Sequence, residues 1–229
     1  MDVAEKIIAV NVNPEQFHLF HLEAAIQGSF SHPNIVTLHG ITSRYYGVEH
    51  AKLSLVMEWL PVTLHDLMYS HPMNTVFRLS GTTARCDLAH KISHAVGFLH
   101  ERGILHRDIS ARNVLLDETL EFVKLGDFGF ATFEDSLEPS GNSYVGTPRY
   151  SAPEVVLHGT YGYGSDVYAL GCLFLEIFLG QRPFAGLSDN HVLGVLSTGT
   201  LPFDLPEELF HLPESVQRGG GVSLGDSEE

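Results

Sequence analysis

The chain has 229 residues, a formal net charge of −15 and only 13 Lys and Arg residues. Such an acidic surface repels phosphate backbones and anionic lipids, so neither a nucleic acid nor a membrane is expected as a partner. The two cysteines, Cys86 and Cys172, are far apart and form no CxxC pair. Their spacing argues against a disulfide framework or a zinc site, and favours a reducing, cytoplasmic compartment. Met1 is followed by DVAEKII, which has none of the features of a signal peptide.

The N-terminal quarter of the chain has the pattern of three strands and one helix. Residues 3–10 are rich in Val, Ile and Ala, which favours a strand. Residues 15–30 carry apolar side chains at near-helical spacing and predict a helix. Apolar runs at 35–41 and 53–58 predict two further strands.

Beyond this block the pattern is mostly helical. Residues 83–102 keep apolar side chains on one face and predict a helix. Two short strands are expected at 113–117 and 122–125. Residues 166–179 contain the longest apolar run, which is too short to cross a bilayer and includes Glu176, so we predict a buried helix there.

This order of elements predicts an α+β protein with two unequal lobes and a cleft between them. We assign residues 1–61 to a small β-rich lobe and residues 62–200 to a larger, mostly helical lobe. Residues 201–229 are expected to form a polar, disordered tail, since the final stretch is acidic and rich in Gly.

Two short polar motifs carry the candidate chemistry. The first, LHRDISARNVLL at 105–116, contains Asp108 and Asn113, and the second, LGDFGFA at 125–131, contains Asp127 before a Phe-Gly pair. These side chains offer hard oxygen ligands of the kind that Mg²⁺ takes together with phosphate. The motifs therefore indicate an oxygen-rich cluster suited to Mg²⁺.

Two further stretches complete a recognisable series. GTPRYSAPE occupies 146–154, and GYGSDVYALGCLFLEI occupies 162–177. The order HRD-x₄-N, then DFG, then APE resembles the signature set of the eukaryotic protein kinases, over about residues 3–200. The resemblance implies a two-lobed kinase fold that transfers the γ-phosphate of ATP, with Mg²⁺, to a hydroxyl of a protein substrate.

The resemblance also implies a role for each motif residue. Asp108 would orient the attacking hydroxyl and accept its proton, while Asn113 and Asp127 would be the metal ligands. Arg107 would pair with a phosphate on the activation segment, for which Ser143 is a candidate.

Other motif residues are implied to support the site. His106 and Phe128 would pack in the core, and Asp166 would hold the backbone of the catalytic loop. Glu154 would pair with an Arg late in the domain. No such Arg is recognisable, so Glu154 is expected to be buried without a partner, at a cost of about 3–5 kcal/mol.

The family places a strand Lys, in a V-A-x-K pattern, against a helix Glu, and Glu23 matches that Glu by its position before His32 of the HPN motif. Two registers compete. VAEK supplies Lys6, with Ala4 on the same strand face, whereas IAVN would put Asn11 there and make the chain a pseudokinase. Lys6 precedes Glu23 by 17 residues, which leaves room for a strand end, a loop and a helix start, but Asn11 precedes it by only 12. We therefore prefer Lys6.

The stretch LVMEWLP, 55–61, resembles the hinge between kinase lobes. Met57 would be the gatekeeper, and the backbone of Glu58 and Leu60 would hydrogen-bond adenine. Gln27 falls where an apolar residue is usual, and a buried amide needs partners. The nucleotide-binding residues implied are Ala4, Lys6, Met57, Glu58, Leu60 and Asp127.

Features of two kinase branches are mixed. Arg112, in the ISARN that follows HRD, is typical of tyrosine kinases, and Ser110 stands where Ser/Thr kinases usually have Lys. Thr147, in GTPRYSAPE, is instead typical of Ser/Thr kinases. The tyrosine-kinase-like group combines such features, and we favour Ser/Thr specificity.

The resemblance is incomplete at both ends. No GxGxxG motif precedes Lys6, and the last helices of the family are not recognisable. We therefore keep an alternative to the active kinase, namely a truncated, catalytically impaired kinase-like module that acts as a binding or scaffold protein. A small-molecule phosphotransferase is less favoured, because the APE segment and Thr147 are suited to protein substrates.

Overall fold

A small antiparallel sheet begins the structure. The computed structural model describes residues 2–11, 14–46, 50–70, 81–117, 119–200 and 202–203. Strand β1 (Val3–Asn11) and strand β2 (Leu38–Tyr45) flank the central strand β3 (His50–Glu58) in the order β1-β3-β2. The predicted strand at 3–10 is confirmed, and that at 53–58 lies within β3.

Strand β2 starts three residues later than predicted. Ile35 and Val36 are buried and apolar, as a strand requires, but they contact the large lobe instead of the small sheet. Val36 N donates to Leu125 O at 2.9 Å. The prediction of a strand at 35–41 was therefore wrong at its start, because these two residues are buried by a partner that is distant in sequence.

Helix α1 (Pro14–Gly28) packs against the small sheet. Phe20 on this helix forms a buried cluster with Leu53 and Leu55 of β3. Further along the same face, Glu23 and Ile26 are also buried, at the i, i+3, i+6 spacing of one helix face. The cluster fixes α1 against the sheet, so that Glu23 on this helix can reach Lys6 on β1.

A short connection joins the two lobes through β4 (Val62–Thr63) and α2 (Leu64–Tyr69). The Thr63 hydroxyl caps α2 by accepting a hydrogen bond from Asp66 N at 3.0 Å. Leu64 and Leu67 are then buried in the core of the large lobe.

The large lobe is built around two long helices, α3 (Thr82–His100) and α5 (Tyr163–Leu179). They correspond to the helices predicted at 83–102 and 166–179. Two shorter helices, α4 (Pro153–His158) and α6 (Asp189–Leu196), lie on either side of α5 in the chain. The α+β fold class is confirmed.

Four short strands position the candidate motifs. Strand β6 (Val114–Leu116) pairs with both β4 and β7 (Val123–Leu125), and β5 (Ile104–Leu105) pairs with β8 (Thr132–Phe133). The HRD motif follows β5, and the DFG motif follows β7. The two motifs lie side by side, since His106 Nε2 is 3.0 Å from the O of Gly126, the residue before Asp127.

The domain boundaries stay a prediction, although residue 61 does fall between β3 and β4. Of the predicted tail at 201–229, only residues 202–203 lie within the described part of the chain. Among the helices that the structure describes, none has the length and apolar character needed to cross a membrane.

The loop after α1 joins the lobes through Asn34. Its backbone O accepts from Leu125 N at 2.8 Å, and its side-chain Nδ2 donates to Val123 O at 3.0 Å. We expect Asn34→Ala to lower the free energy of unfolding by about 1 kcal/mol, because the Val123 carbonyl loses its donor. Urea unfolding would measure this. The control Asn190→Ala, at an exposed position of α6, should change the value by less than about 0.5 kcal/mol. Equal effects of the two substitutions would contradict the inter-lobe role.

Candidate active site

The catalytic loop is held by one buried carboxylate at the start of α5. Asp166 Oδ2 accepts from His106 N, and Asp166 Oδ1 accepts from Arg107 N, both at 2.9 Å. Arg107 has φ +62°, in the left-handed region that non-glycine residues rarely adopt. The two hydrogen bonds to Asp166 stabilise that conformation, and His100 Nε2 lies 3.0 Å from Oδ2. This is the support that the sequence implied for Asp166.

Both carboxylate oxygens of Asp108 are held in place. Thr147 Oγ1 donates to Oδ1 at 2.6 Å, and Asn113 Nδ2 donates to Oδ2 at 2.7 Å. The same Asn113 nitrogen also reaches the Asp108 backbone O at 2.8 Å. Asp108 is therefore fixed as a hydrogen-bond acceptor with a defined direction, which suits a group that orients a hydroxyl.

His106 and Phe128 form a fully buried support beneath the loop. Their ring centroids are 5.1 Å apart in an edge-on arrangement. His106 Nε2 lies 3.0 Å from Gly126 O, so this nitrogen carries the proton and donates. The other ring nitrogen then accepts from Asp108 N, at 3.3 Å.

Lys6 connects the two lobes electrostatically. Its Nζ lies 2.7 Å from Glu23 Oε1 and 2.7 Å from Asp127 Oδ1. The register with Lys6 is thus the one that the structure contains. Asn11 lies at the far end of β1, opposite His50.

The titration behaviour of this trio follows from burial and from the shared charge. Burial raises the pKa of Glu23, and the Lys6 ammonium does not fully offset it. Burial also acts to raise the pKa of Asp127, but the hydrogen bond and charge of Lys6 outweigh it and the pKa is lowered. Burial disfavours the Lys6 ammonium, yet its two carboxylate partners raise its pKa above the ordinary value. Asp127 is therefore an anion and Lys6 a cation at neutral pH.

Two glycines allow close approaches that a side chain would block. A Cβ at Gly129 would lie 3.2 Å from Asp127 Oδ1 and 3.3 Å from Lys6 Nζ. Gly146 has φ +101°, and a Cβ there would lie 2.5 Å from Arg107 O. Gly146 is thus required by the packing of this site, while a side chain at Gly129 would crowd the ion pair of Lys6 with Asp127.

The residues present fit a magnesium ion bound with a phosphate ligand. Asn113 directs its amide nitrogen to Asp108, which leaves its amide oxygen for a cation. Asp127 supplies an ionised carboxylate, and the two segments are joined because Gly126 N donates to Asn113 O at 2.8 Å. Within the described ranges, no three or more His, Cys, Asp or Glu residues are grouped to hold a metal ion. A site with few protein ligands suits Mg²⁺, which keeps waters and binds substrate phosphates.

The hinge residues border the same cleft. Ala4 is opposite Met57 in the register of β1 and β3, so these residues share a sheet face with Lys6. The Glu58 carboxylate accepts from Lys124 Nζ at 2.7 Å and from Thr37 N at 3.2 Å. Leu60 lies just beyond β3, in the segment that leads to β4.

Lys124 also belongs to this region, although no sequence motif indicated it. This lysine lies in β7 and is buried, and it links the hinge to the strand before the DFG motif. The available signal was a charged residue in the middle of an apolar strand, Val123–Leu125. Such a residue needs a partner when it is buried.

Gln27 is buried with only part of its hydrogen bonding satisfied. Its Nε2 donates to Val36 O at 3.0 Å and lies 3.5 Å from Met57 Sδ. Its Oε1 is buried and has no hydrogen-bond partner in the described part of the chain. The partners that a buried amide needs are thus found for the nitrogen but not for the oxygen.

One expectation about the activation segment was wrong, and the pairing of Arg107 with a phosphate stays a prediction. Glu154 is exposed, so the predicted buried, unpaired carboxylate was wrong and carries no such cost. Its backbone is instead at the first turn of α4, where the side chain reaches solvent. The Arg107 guanidinium donates from Nε to Phe130 O at 2.6 Å, and Ser143 is exposed. Burial lowers the pKa of Arg107.

Comparison with known proteins agrees with this geometry. The family described as the protein kinase domain matches residues 1–209 of the chain. The chain belongs to the protein kinase domain family. A probable serine/threonine-protein kinase of Dictyostelium discoideum is 31% identical over 212 residues, which cover 90% of this kinase domain. The RAF proto-oncogene serine/threonine-protein kinase of Xenopus laevis is 29% identical over 227 residues, which cover 95% of it.

A second Dictyostelium discoideum protein, also a probable serine/threonine-protein kinase, is 31% identical over 217 residues, or 92% of the chain. The matched regions cover 15%, 33% and 22% of these three relatives. The chain therefore spans at most about a third of the length of the curated relatives that it matches.

The contact between Lys6 and Glu23 can be measured by a double-mutant cycle. We expect Lys6→Met and Glu23→Gln to show a coupling of about 1–2 kcal/mol in urea unfolding, because Glu23 is buried while Lys6 is 31% exposed. The i, i+4 pair Asp87 and Lys91 on α3, whose carboxylate is 55% exposed against 5% for Glu23, is the control and should couple by about 0.3–0.5 kcal/mol. A coupling at Lys6 and Glu23 no larger than that of the control would contradict this assignment.

The orphan oxygen of Gln27 predicts a stabilising substitution. We expect Gln27→Leu to raise the free energy of unfolding by about 1 kcal/mol, since removal of an unsatisfied buried acceptor that costs about 1–3 kcal/mol outweighs the loss of the hydrogen bond to Val36 O, worth about 1 kcal/mol. Chemical denaturation would measure the change. Gln181→Leu, at an exposed loop position, is the matched control, and we expect no gain from it. A loss of stability in Gln27→Leu would show that the amide is satisfied in solution.

Proposed function

We propose that this kinase domain transfers the γ-phosphate of ATP, with Mg²⁺, to Ser or Thr hydroxyls of a protein substrate. The observation that carries the proposal is that two sets of hydrogen-bonded or ion-paired side chains lie at the same cleft. Lys6, Glu23 and Asp127 are joined by ion pairs, and Asp108 is fixed by Thr147 and Asn113. Phosphoryl transfer depends on positioning and charge neutralisation, and both groups serve these purposes.

Each residue has a task that its geometry permits. Asp108 would accept a hydrogen bond from the substrate hydroxyl, since its carboxylate already has a fixed direction. Asn113 and Asp127 would hold Mg²⁺ through their free oxygens. Lys6 would hold a phosphate oxygen while Glu23 fixes its position. When bound, Mg-ATP supplies the phosphoryl group and the neutralising divalent charge.

The nucleotide would lie between the hinge and the ion-paired trio. Ala4 and Met57 supply apolar surface on the sheet face that carries Lys6, and the backbone of Glu58 and Leu60 would bond adenine. The ion pair of Glu58 with Lys124 anchors the hinge at this end of the cleft.

Ser/Thr specificity rests on two supports. Thr147 bonds Asp108 directly, and the relatives bear the name serine/threonine-protein kinase. Ser110, which stands at the position of the usual Ser/Thr-kinase lysine, is completely buried. Arg112 keeps a tyrosine-kinase character, so we place the chain in the tyrosine-kinase-like group. Thr147 has the greater weight in this assignment because it touches the proposed catalytic carboxylate.

A cytoplasmic location belongs to the same proposal. Both cysteines are free, with Cys172 buried and Cys86 exposed, as expected in a reducing compartment. The strong negative charge supports a protein partner over a nucleic acid or an anionic membrane.

The first test is the melting temperature of the chain with and without Mg-ATP, followed by phosphate transfer to Ser, Thr and Tyr peptides. Nucleotide at about 100 times its dissociation constant should stabilise the wild type by about 2.7 kcal/mol. Asp127→Asn should lose most of this shift, because the metal loses its charged ligand. Asp108→Asn should keep the shift but lose transfer by about 10²-fold or more.

The outcomes separate the two candidate functions. Transfer to Ser or Thr peptides that Asp108→Asn lacks supports the kinase. A cooperative melt that is indifferent to Mg-ATP, with no transfer to any peptide, would favour the alternative of a non-catalytic binding or scaffold module.

A further inference from the structure

A basic cavity lies next to the proposed catalytic carboxylate. It has a volume of about 500 Å³, and Thr147 lines it. Since Thr147 also donates to Asp108, the cavity begins one side chain away from that carboxylate. Three of the 13 Lys and Arg residues of the chain line it, namely Arg112, Arg149 and Arg182. We call this cavity, with His65 at its edge, the basic pocket.

Arg149 forms the wall of the basic pocket, and four of its five N–H donors are used by neighbouring groups. Its Nε donates to Asp189 Oδ1 at 2.8 Å, and its Nη1 donates to Pro183 O and Phe184 O at 2.9 and 2.8 Å. Its Nη2 contacts Leu187 O. The charge of Arg149 is matched by Asp189, which is the only acidic residue that lines the pocket as described.

Arg112 and Arg182 supply the rest of the positive charge of the pocket. Arg112 is exposed and forms no hydrogen bond or ion pair with any residue that the structure describes. Arg182 contacts His65 Nε2 and lies over the Tyr69 ring, with 4.6 Å from its Cζ to the ring centroid. A guanidinium has five N–H donors, and these contacts do not use all of them. Burial and the neighbouring arginines lower the pKa of His65, so it is neutral at pH 7.

The nearby acids outside the lining are already engaged. Glu176 is buried below the pocket, where Tyr69 OH and Tyr150 OH donate to its two oxygens at 2.8 and 2.5 Å. Asp66 accepts from the Thr63 hydroxyl at 2.9 Å. Asp66 keeps its negative charge, since the Thr63 hydroxyl and, to a smaller extent, Arg112 lower its pKa. The three arginines of the lining still outnumber Asp66 and Asp189, so the pocket is more positive than the rest of a chain whose net charge is −15.

We propose that the basic pocket binds an anionic side chain of the protein substrate, a carboxylate or a phosphate, within a few residues of the hydroxyl that is phosphorylated. This inference rests on the proposed kinase function and adds a substrate class to it. An extended peptide advances about 3.3 Å per residue, so a hydroxyl at Asp108 puts neighbouring side chains within reach of the pocket. Arg112 and Arg182 bind the anion by charge-assisted hydrogen bonds, while Arg149 positions the wall.

The test is a positional scan with Ser peptides in a neutral Ala/Gly background. Asp is placed at each position from three residues before to three residues after the Ser, and the best position is repeated with phosphoserine. The expected result is a kcat/KM about tenfold higher than for the neutral peptide at one or two adjacent positions, and a preference that weakens with salt. Comparison of Asp with phosphoserine tells whether a carboxylate or a phosphate is the better occupant.

Three variants assign the preference to the pocket. Arg112→Gln should reduce the ratio of acidic to neutral kcat/KM to about threefold, and Arg112→Lys should restore most of it because the charge returns. The control Arg44→Gln removes an equal charge from exposed β2 and should leave the ratio at its wild-type value. Equal ratios in wild type and Arg112→Gln, or an equal loss in Arg44→Gln, would overturn the assignment.

A binding measurement keeps this inference separate from the proposed function. The same peptides with Ala in place of Ser, carrying a fluorophore, are titrated with the chain and followed by fluorescence anisotropy. Tighter binding of the acidic peptide, lost in Arg112→Gln and kept in Arg44→Gln, supports the pocket even where no phosphate is transferred. Equal binding of acidic and neutral peptides, together with equal kcat/KM values, would overturn it while leaving the kinase function intact.

Discussion

The cleft of this kinase domain depends on one cation shared between two carboxylates. Lys6 is on strand β1 of the small sheet, Glu23 is on α1, and Asp127 follows strand β7 of the large lobe. A buried Glu23 alone would favour its neutral form, and Asp127 alone would repel it. Because Lys6 forms an ion pair with both carboxylates, it holds together three segments that are distant in sequence. In the proposed function the same cation holds a phosphate oxygen, so the interaction that organises the cleft would also position the nucleotide.

In the large lobe, a buried carboxylate takes the organising role that the Lys6 cation has in the cleft. Its catalytic loop places Arg107 in a left-handed conformation, which costs about 1 kcal/mol or more without compensation. Asp166 compensates by accepting two successive backbone N–H groups. The strain and its compensation lie on elements 59 residues apart. Helix α5 therefore contributes to the site as well as to the core. The backbone that Asp166 anchors leads directly into Asp108 and so sets the direction of its side chain.

Short-range sequence patterns predicted the parts of this structure that depend on local physics. The long helices follow from apolar patterning and the strand with Lys6 from its Val, Ile and Ala content, while the number of residues before Glu23 favoured Lys6 over Asn11 as its partner. The start of β2, however, depended on contacts of Val36 with a strand about 90 residues away, which no local pattern contains. The burial of Glu154 was predicted from its position in the APE motif. A motif position does not report whether the side chain reaches solvent. Lys124 was missed since its partner, Glu58, lies in the other lobe.

The charge balance of the chain bears directly on how the site can work. With a net charge of −15, the surface as a whole opposes ATP, which carries about four negative charges, and acidic peptides alike. Local cations must therefore outweigh the repulsion from the net negative charge. They lie at the proposed nucleotide site and at the basic pocket, the two places where anions are expected. Lys6 lies where the nucleotide phosphates would bind, and Arg112 with Arg182 lies beyond Asp108 on the substrate side. Because the rest of the chain repels anions, only anions that reach these cations are held, which makes charge a source of selectivity as well as of binding.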